Sequence, residues 1–364
     1  MFNQKQKDTF KVVLFFTALY LFFLSIKLMG TALKGMGSGF VHELLSSAEN
    51  PFIGLFIGIL ATTIVQSSSF TTSLTVGLVA SGALPIRMAV PVVMGANIGT
   101  TVTNTIVSLA HIKRQQEFRN AFAGATVHDF FNWCCVILLL PLEIRFHLIE
   151  KTASFFSSVF FGASGVKTAN PFDYILQPAI MLIEFTTSNS GVIMLILAVI
   201  FLFVSLTYMV RIMRSLLASK IENFVHNFLF KNDFSSFIVG LLFTTLVQSS
   251  SITTSLVVPL IGAGILTVRK IYPYMLGANI GTTITALLAA MVLGCEVALT
   301  IAFAHLFFNI FGILIFYPLR FIPISLSEKY AGFAAKNKYN ALLLIAFLFY
   351  ILPLAIIIIT KVWT

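Results

Sequence analysis

Charge is what this chain has least of. Charged side chains make up 10% of its 364 residues and hydrophobic ones 58%, whereas soluble proteins carry about a quarter charged. So little charge cannot build a water-facing shell, which excludes an ordinary soluble enzyme or binding module. Acidic residues are the scarcer kind, 13 against 23 basic, for a formal net charge of +10. Cysteine is scarce as well, and three Cys do not make a disulfide framework. Cys134 and Cys135 fall inside an apolar run and read as packing residues, while Cys295 sits near the end of another. Also missing are a nucleophile–base pair, metal-ligand spacing and a phosphate loop of the soluble kind. No catalytic residue is assigned, and neither an enzyme nor a cofactor is expected.

What the chain does have is apolar length. The runs 12–36, 86–110, 118–142, 189–210, 295–319 and 340–360 are each near the roughly 20 residues that cross a bilayer. The first is too long for a signal segment and no small-residue cleavage site closes it, so it reads as a true span. The fold class expected is an all-α polytopic membrane protein. Placing the N-terminus in the cytoplasm puts 1–11, 111–119, 211–235, 269–270 and 320–338 on the inside, with 16 of the 23 basic residues. The connection 143–188, placed outside, carries only Arg145, Lys151 and Lys167. That bias follows the positive-inside rule, so the net charge points to a lipid bilayer and not to nucleic acid.

An internal repeat organises the chain. Residues 62–101 align with 244–283 at a constant offset of 182, and 24 of those 40 positions are identical. The identities include Gln66-Ser67-Ser68-Ser69 with Gln248-Ser249-Ser250-Ser251. They also include Gly95 through Thr101 with Gly277 through Thr283. Flanking likenesses extend the unit: Phe40-Val41-His42 with Phe224-Val225-His226, and His128 through Asn132 with His305 through Asn309.

The stretch 51–66 is about 24 Å long as a helix, short of the roughly 30 Å apolar core. It then meets four polar residues and a second short apolar run. This predicts a re-entrant hairpin over 51–82, with its twin over 235–264. One hairpin and three full crossings per unit invert the second unit. The divisions expected are a first inverted repeat over 1–143, an outside connector over 144–188, a second repeat over 189–321, and an extra C-terminal membrane helix over 322–364.

A hairpin broken at mid-membrane depth survives only buried in protein or lining a cavity. It ends one helix in free carbonyls, which suit Na⁺, and starts the next in free N–H groups, which attract anions. Gln66, Ser67, Ser68 and Ser69 are the candidate anion ligands, with Gln248, Ser249, Ser250 and Ser251. Candidate Na⁺ ligands are Gln66, Thr63, Thr72, Asn97, Thr100 and Thr101, with Gln248, Thr245, Thr254, Asn279, Thr282 and Thr283. All are neutral oxygen donors, too few in charge for a divalent cage. Gly95, Gly99, Gly277 and Gly281 are expected to loosen their helices. The repeat cores hold no acidic residue, so an anion there has to bring its own cations.

Ser, Thr and Gly also serve plain helix packing in membranes, but two identical polar clusters at one offset argue for a site. His128 and Asp129 form an ionisable pair inside a span, while His305 is followed by Leu306. Structural hydrogen bonding is the favoured role of the two histidines over proton relay. The inversion places the tips face to face, which predicts one shared site.

These residues resemble the type II sodium/phosphate cotransporter family. Both Gln-Ser-Ser-Ser motifs match its pattern, as do Met94 through Thr100 and Phe118 through Asp129, and the likeness covers most of residues 15–320. The resemblance implies a symporter importing inorganic phosphate with Na⁺ by alternating access. Phosphate would bind at the serine turns and Na⁺ at adjacent carbonyl and hydroxyl groups. Vertebrate members carry a large glycosylated loop between the halves. Residues 144–188 are short and without an Asn-X-Ser/Thr sequon, which fits a compact bacterial member of the inner (plasma) membrane. A passive anion channel and a Na⁺-coupled carrier of another oxyanion are the alternatives, and a membrane-embedded phosphate esterase is a third. Oligomeric state is left open, a homodimer included.

Overall fold

The computed structural model describes residues 4–36, 50–163, 171–228 and 232–363. The side chains of Phe40–His42 and Phe224–His226 lie outside that description, as do those of Lys5, Lys7, Lys167, Lys220, Lys231 and Lys338 from the charge argument. Among the described residues there is no strand.

The first half holds α1 (Gln4–Gly35), α2 (Pro51–Val65), α3 (Ser68–Ala80), α4 (Ile86–Thr100), α5 (Val102–Ser108) and α6 (Gln115–Phe146). Two helices connect the halves, α7 (Leu148–Ala163) and α8 (Pro171–Thr186). The second half holds α9 (Gly191–Phe228), α10 (Asp233–Val247), α11 (Ser250–Ser255), α12 (Val258–Gly262), α13 (Val268–Leu293) and α14 (Glu296–Phe316). Then follow α15 (Phe321–Lys336), α16 (Lys338–Ala346), a π turn and α17 (Leu352–Trp363).

Seven helical stretches are long and apolar enough to cross a bilayer, which makes this a multi-pass membrane protein. Six match the apolar runs read from the sequence. The seventh, Val268–Leu293, was not among those runs. It opens on Arg269-Lys270 and carries the polar Asn279 and Thr282-Thr283, so its hydropathy is interrupted although its repeat partner is 86–110. The C-terminal segment holds α15 before its one span, Tyr339–Thr360, where a single extra helix was expected. The connector is likewise helical. The Glu143 carboxylate accepts the N–H of Ile149 at 2.6 Å and of Glu150 at 3.2 Å, so the Glu143–His147–Glu150 group at that turn caps α7.

Both short helices before the Gln-Ser-Ser-Ser turns start on an asparagine cap. Asn50 Oδ1 accepts from Phe52 N at 2.9 Å, with Pro51 in the first turn, and Asn232 Oδ1 accepts from Ser235 N at 2.7 Å. Each helix then packs against the helix that carries Gly-Ala-Asn-Ile-Gly-Thr-Thr. Gly54 lies against Met88 and Gly99 against Ile59 to Thr63, so α2 and α4 run parallel and α3 must carry the chain back between them. The same register joins α10 to α13, where Gly277 meets Phe237 and Gly281 meets Leu241 to Thr245.

The glycines of α13 do not loosen it as expected, although α4 stops at Thr100, one residue past Gly99. α13 runs unbroken through Gly277 and Gly281. Their role is contact: a methyl on Gly99 would lie 2.6 Å from Ile59 O, and one on Gly281 would lie 2.6 Å from Leu241 O. Only a hydrogen permits that backbone-to-backbone approach.

The ends of the helices sort into two groups. Lys34 at the end of α1, Ala80 at the end of α3, and Leu293 and Cys295 line one cavity. Arg119, Gly264, Thr267 and Glu328 line another, and Asp233, Arg269, Lys270 and Arg320 a third. The first hairpin therefore opens at the end of α13 and the second at its beginning. Gly191, at the start of α9, packs on Ala32 and Met36 at the end of α1, so those two spans are antiparallel.

Candidate functional site

The two turns have nearly the same backbone. Gln66 (φ 56, ψ 31) and Gln248 (φ 59, ψ 25) close α2 and α10 in the left-handed region, a place usually taken by glycine. The next residue starts the following helix. Ser67 Oγ accepts from Phe70 N at 3.2 Å and Ser249 Oγ from Ile252 N at 3.3 Å.

The three serines of each turn have different occupations. The first caps its helix. The third reaches the other half: Ser69 donates to Gln248 O at 3.2 Å, and Ser251 to Thr100 O at 3.3 Å. The second, Ser68 or Ser250, is buried, and its hydroxyl has no protein partner among the described hydrogen bonds. The N–H groups of residues 68–69 and 250–251 lie in the first turn of their helices, where no carbonyl can reach them.

Between the tips lies a cavity of about 270 Å³. Gln66, Ser67 and Thr103 line it from the first half, Ser249 and Ser251 from the second, and Phe203 to Val210 of α9 form its apolar wall. Ser68, Ser69, Gln248 and Ser250 are buried and are not part of that lining. The structure thus brings the two turns together, with Gln66 exposed to the cavity and Gln248 buried at 6% exposure.

The candidate Na⁺ ligands divide into three sets. The hydroxyls of Thr63 and Thr245, at the carbonyl ends of α2 and α10, are buried and have no partner. Thr72, Thr100, Thr101, Thr254, Thr282 and Thr283 donate to carbonyls of their own helices at 2.7 to 3.0 Å. A hydroxyl that donates in this way keeps lone pairs for a cation. Asn97 and Asn279 carry hydrogen bonds between the halves. Each bonds the histidine and the following asparagine of the opposite half: Asn279 takes His128 at 2.6 Å and donates to Asn132 at 3.1 Å. Asn97 takes His305 at 3.4 Å and Asn309 at 3.3 Å. Both histidines thus hydrogen-bond to a buried amide oxygen of the opposite half.

Asp129 accepts from Thr105 at 3.1 Å, and its other oxygen is buried without a partner. Several contributors escaped the sequence reading. Asn104 Nδ2 donates to the candidate ligand Thr254 at 2.7 Å between the halves, and Thr285 donates to Gln248 Oε1 at 2.5 Å. Thr103 and Thr285 stand at the repeat offset just beyond the aligned motif, a signal that could have found them.

The chain is similar to known proteins along most of its length. The model of a family described as Na⁺/Pi-cotransporter matches residues 21–167 and 200–354. Sodium-dependent phosphate transport protein 2B of Homo sapiens is 32% identical over 95% of this chain and 64% of its own length. The 2B protein of Pongo abelii is 32% identical over 95% and 65%. Sodium-dependent phosphate transport protein 2A of Rattus norvegicus is 33% identical over 94% and 66%. The chain therefore spans about two thirds of the length of these relatives, which are named as transport proteins and not as enzymes. No solved structure matches it. Both blocks of the family match run through a Gln-Ser-Ser-Ser turn and its Gly-Ala-Asn-Ile-Gly-Thr-Thr helix, and on that match the chain belongs to the Na⁺/Pi-cotransporter family.

Proposed function

We propose that this protein is a sodium-coupled importer of inorganic phosphate that works by alternating access, with phosphate and Na⁺ held between the two Gln-Ser-Ser-Ser tips. One observation carries the reading: Ser69 of the first tip bonds the Gln248 carbonyl of the second beside a cavity lined by both. Family membership and the names of the relatives point the same way. The hydroxyls of Ser67 to Ser69 and Ser249 to Ser251, with the amides of Gln66 and Gln248, supply donors for the phosphate oxygens. The free N–H groups at the start of α3 add to them.

The repeat cores hold no carboxylate, so Na⁺ neutralises the anion as a co-substrate. Thr63 and Thr245 are the first candidates for it, since their hydroxyls lack partners. Thr72, Thr100, Thr101, Thr254, Thr282 and Thr283 follow through their free lone pairs. Two units of opposite orientation, 1–143 and 189–321, rock around this site in the plasma membrane, with the N-terminus in the cytoplasm. The hairpin bases at opposite ends of α13 support that inversion.

The test is ³²P uptake into proteoliposomes under an imposed Na⁺ gradient, with choline replacing Na⁺ in the control. Uptake that needs Na⁺ and concentrates phosphate is expected. Equal flux in choline makes the protein a passive anion channel, and Na⁺-driven uptake of sulfate but not phosphate moves the assignment to another oxyanion.

A further inference from the structure

The two tips share a sequence but not a hydrogen-bond pattern. At the second tip the Gln248 side chain is fully engaged: Nε2 donates to Thr245 O at 2.5 Å, and Oε1 accepts from Thr285 at 2.5 Å. Ser69 braces the same spot, with its hydroxyl on Gln248 O and its oxygen 3.2 Å from Thr285 Oγ1.

At the first tip the counterparts of Thr285 and Gln248 are not joined. Thr103 stands where the repeat offset of 182 puts the twin of Thr285, and its hydroxyl is buried with no partner. Gln66 is exposed to the cavity that Thr103 also lines, and its side chain makes none of the described hydrogen bonds. Ser251, the twin of Ser69, reaches Thr100 O and not Gln66 O.

We infer that Thr103 and Thr285 are twin positioning residues that alternately hold the glutamines of the two tips. Thr285 holds Gln248 in the conformation seen here, and Thr103 holds Gln66 in the opposite one. This deepens the transport reading above and rests on it. A buried hydroxyl without a partner is costly, and the twin of Thr103 has one, the Gln248 amide oxygen. When Gln66 swings from the cavity onto Thr103, the first tip closes by the contact that now closes the second. The glutamine released from its threonine regains an amide with a free donor and a free acceptor, one for an anion and one for a cation. Only one tip then offers its amide to the ligands at a time, which ties ligand contact to the side that is open.

The measurement is the distance between spin labels at Ile64→Cys and Tyr208→Cys, by double electron–electron resonance without Na⁺ or phosphate. The background is free of native cysteine. Both positions are exposed, and they neighbour the cavity walls Val65–Gln66 and Leu206–Val210. Thr285→Val is expected to raise the ratio of closed to open distances by about two- to tenfold, the worth of one net hydrogen bond. Thr103→Val shifts it the other way, and the double variant returns towards the parent ratio. Thr285→Ser, which keeps the hydroxyl, leaves the ratio unchanged and guards against a packing effect of valine. Shifts of the same sign in both valine variants, or a ratio that none of them moves, overturn the latch. Labels report this without any transported ion, so a parent protein that shows the opposed shifts but no Na⁺-dependent uptake would refute the transport reading alone.

Discussion

His128 Nε2 donates to Asn279 Oδ1 at 2.6 Å, across 151 residues of sequence and between the two halves. Its twin contact, His305 to Asn97, is longer at 3.4 Å. All four residues are buried. His128 is the partner of the Asn279 oxygen, whereas the Asn97 oxygen also accepts from Asn309. Removing His128 leaves a buried acceptor unpaired, at a cost of about 1–3 kcal/mol. His128→Ala is expected to lower the unfolding midpoint in a mixed-micelle denaturant titration, and by more than His305→Ala. Equal midpoints for the parent and His128→Ala would contradict this.

Asn104 and Thr254 form a second bridge between halves, with Asn104 Nδ2 donating to Thr254 Oγ1 at 2.7 Å. Thr254 is also a candidate sodium ligand, so its effects need separating. A double-mutant cycle with Asn104→Ala and Thr254→Val is expected to give a coupling of about 0.5–3 kcal/mol in the same titration. Strict additivity would mean that the bridge carries no energy.

The packing of α2 on α4 and of α10 on α13 sets a steric limit. Gly99→Ala and Gly281→Ala each place a methyl against a neighbouring carbonyl. Overpacking of this kind costs about 1–3 kcal/mol. Both variants are expected to unfold earlier, while Gly35→Ala, where a methyl meets nothing within 4 Å, unfolds like the parent.

The serines of one turn are expected to separate by function. Ser67→Ala removes a helix cap and lowers stability by about 1 kcal/mol. Ser68→Ala and Ser250→Ala remove hydroxyls without an internal partner and leave the midpoint unchanged. They reduce Na⁺-driven ³²P uptake by about tenfold or more, since hydrogen bonds to charged groups are worth about 1.5–3 kcal/mol. Undiminished uptake in both would take these serines out of the site.

Much of this could be read from the residues in order. Apolar length revealed six of the seven spans, and the offset of 182 identified both turns before any coordinate. Val268–Leu293 escaped a hydropathy reading because its partners supply what its polar residues need: Asn279 is buried against His128 and Asn132. Asn97 and Asn279 show the same limit of a sequence reading. An amide beside a motif reads as a ligand, and the histidines that also bond it, 208 and 151 residues away, are seen only in the fold. The glycines were assigned flexibility because sequence shows what a glycine permits and not what lies against it. The difference between Gln66 and Gln248 is beyond any sequence reading, because identical motifs carry no record of which is engaged.

The contact of Gly99 with Ile59 and Thr62 has a mechanical meaning. Where two backbones touch, there is no side-chain layer to slide or compress between them, and the hairpin arm and the crossing helix behave as one welded strut. A tip deep in the protein then cannot shift without carrying the strut's far end. Probes at the exposed Arg87 and Arg269, in the first turns of α4 and α13, will register what happens at the buried turns.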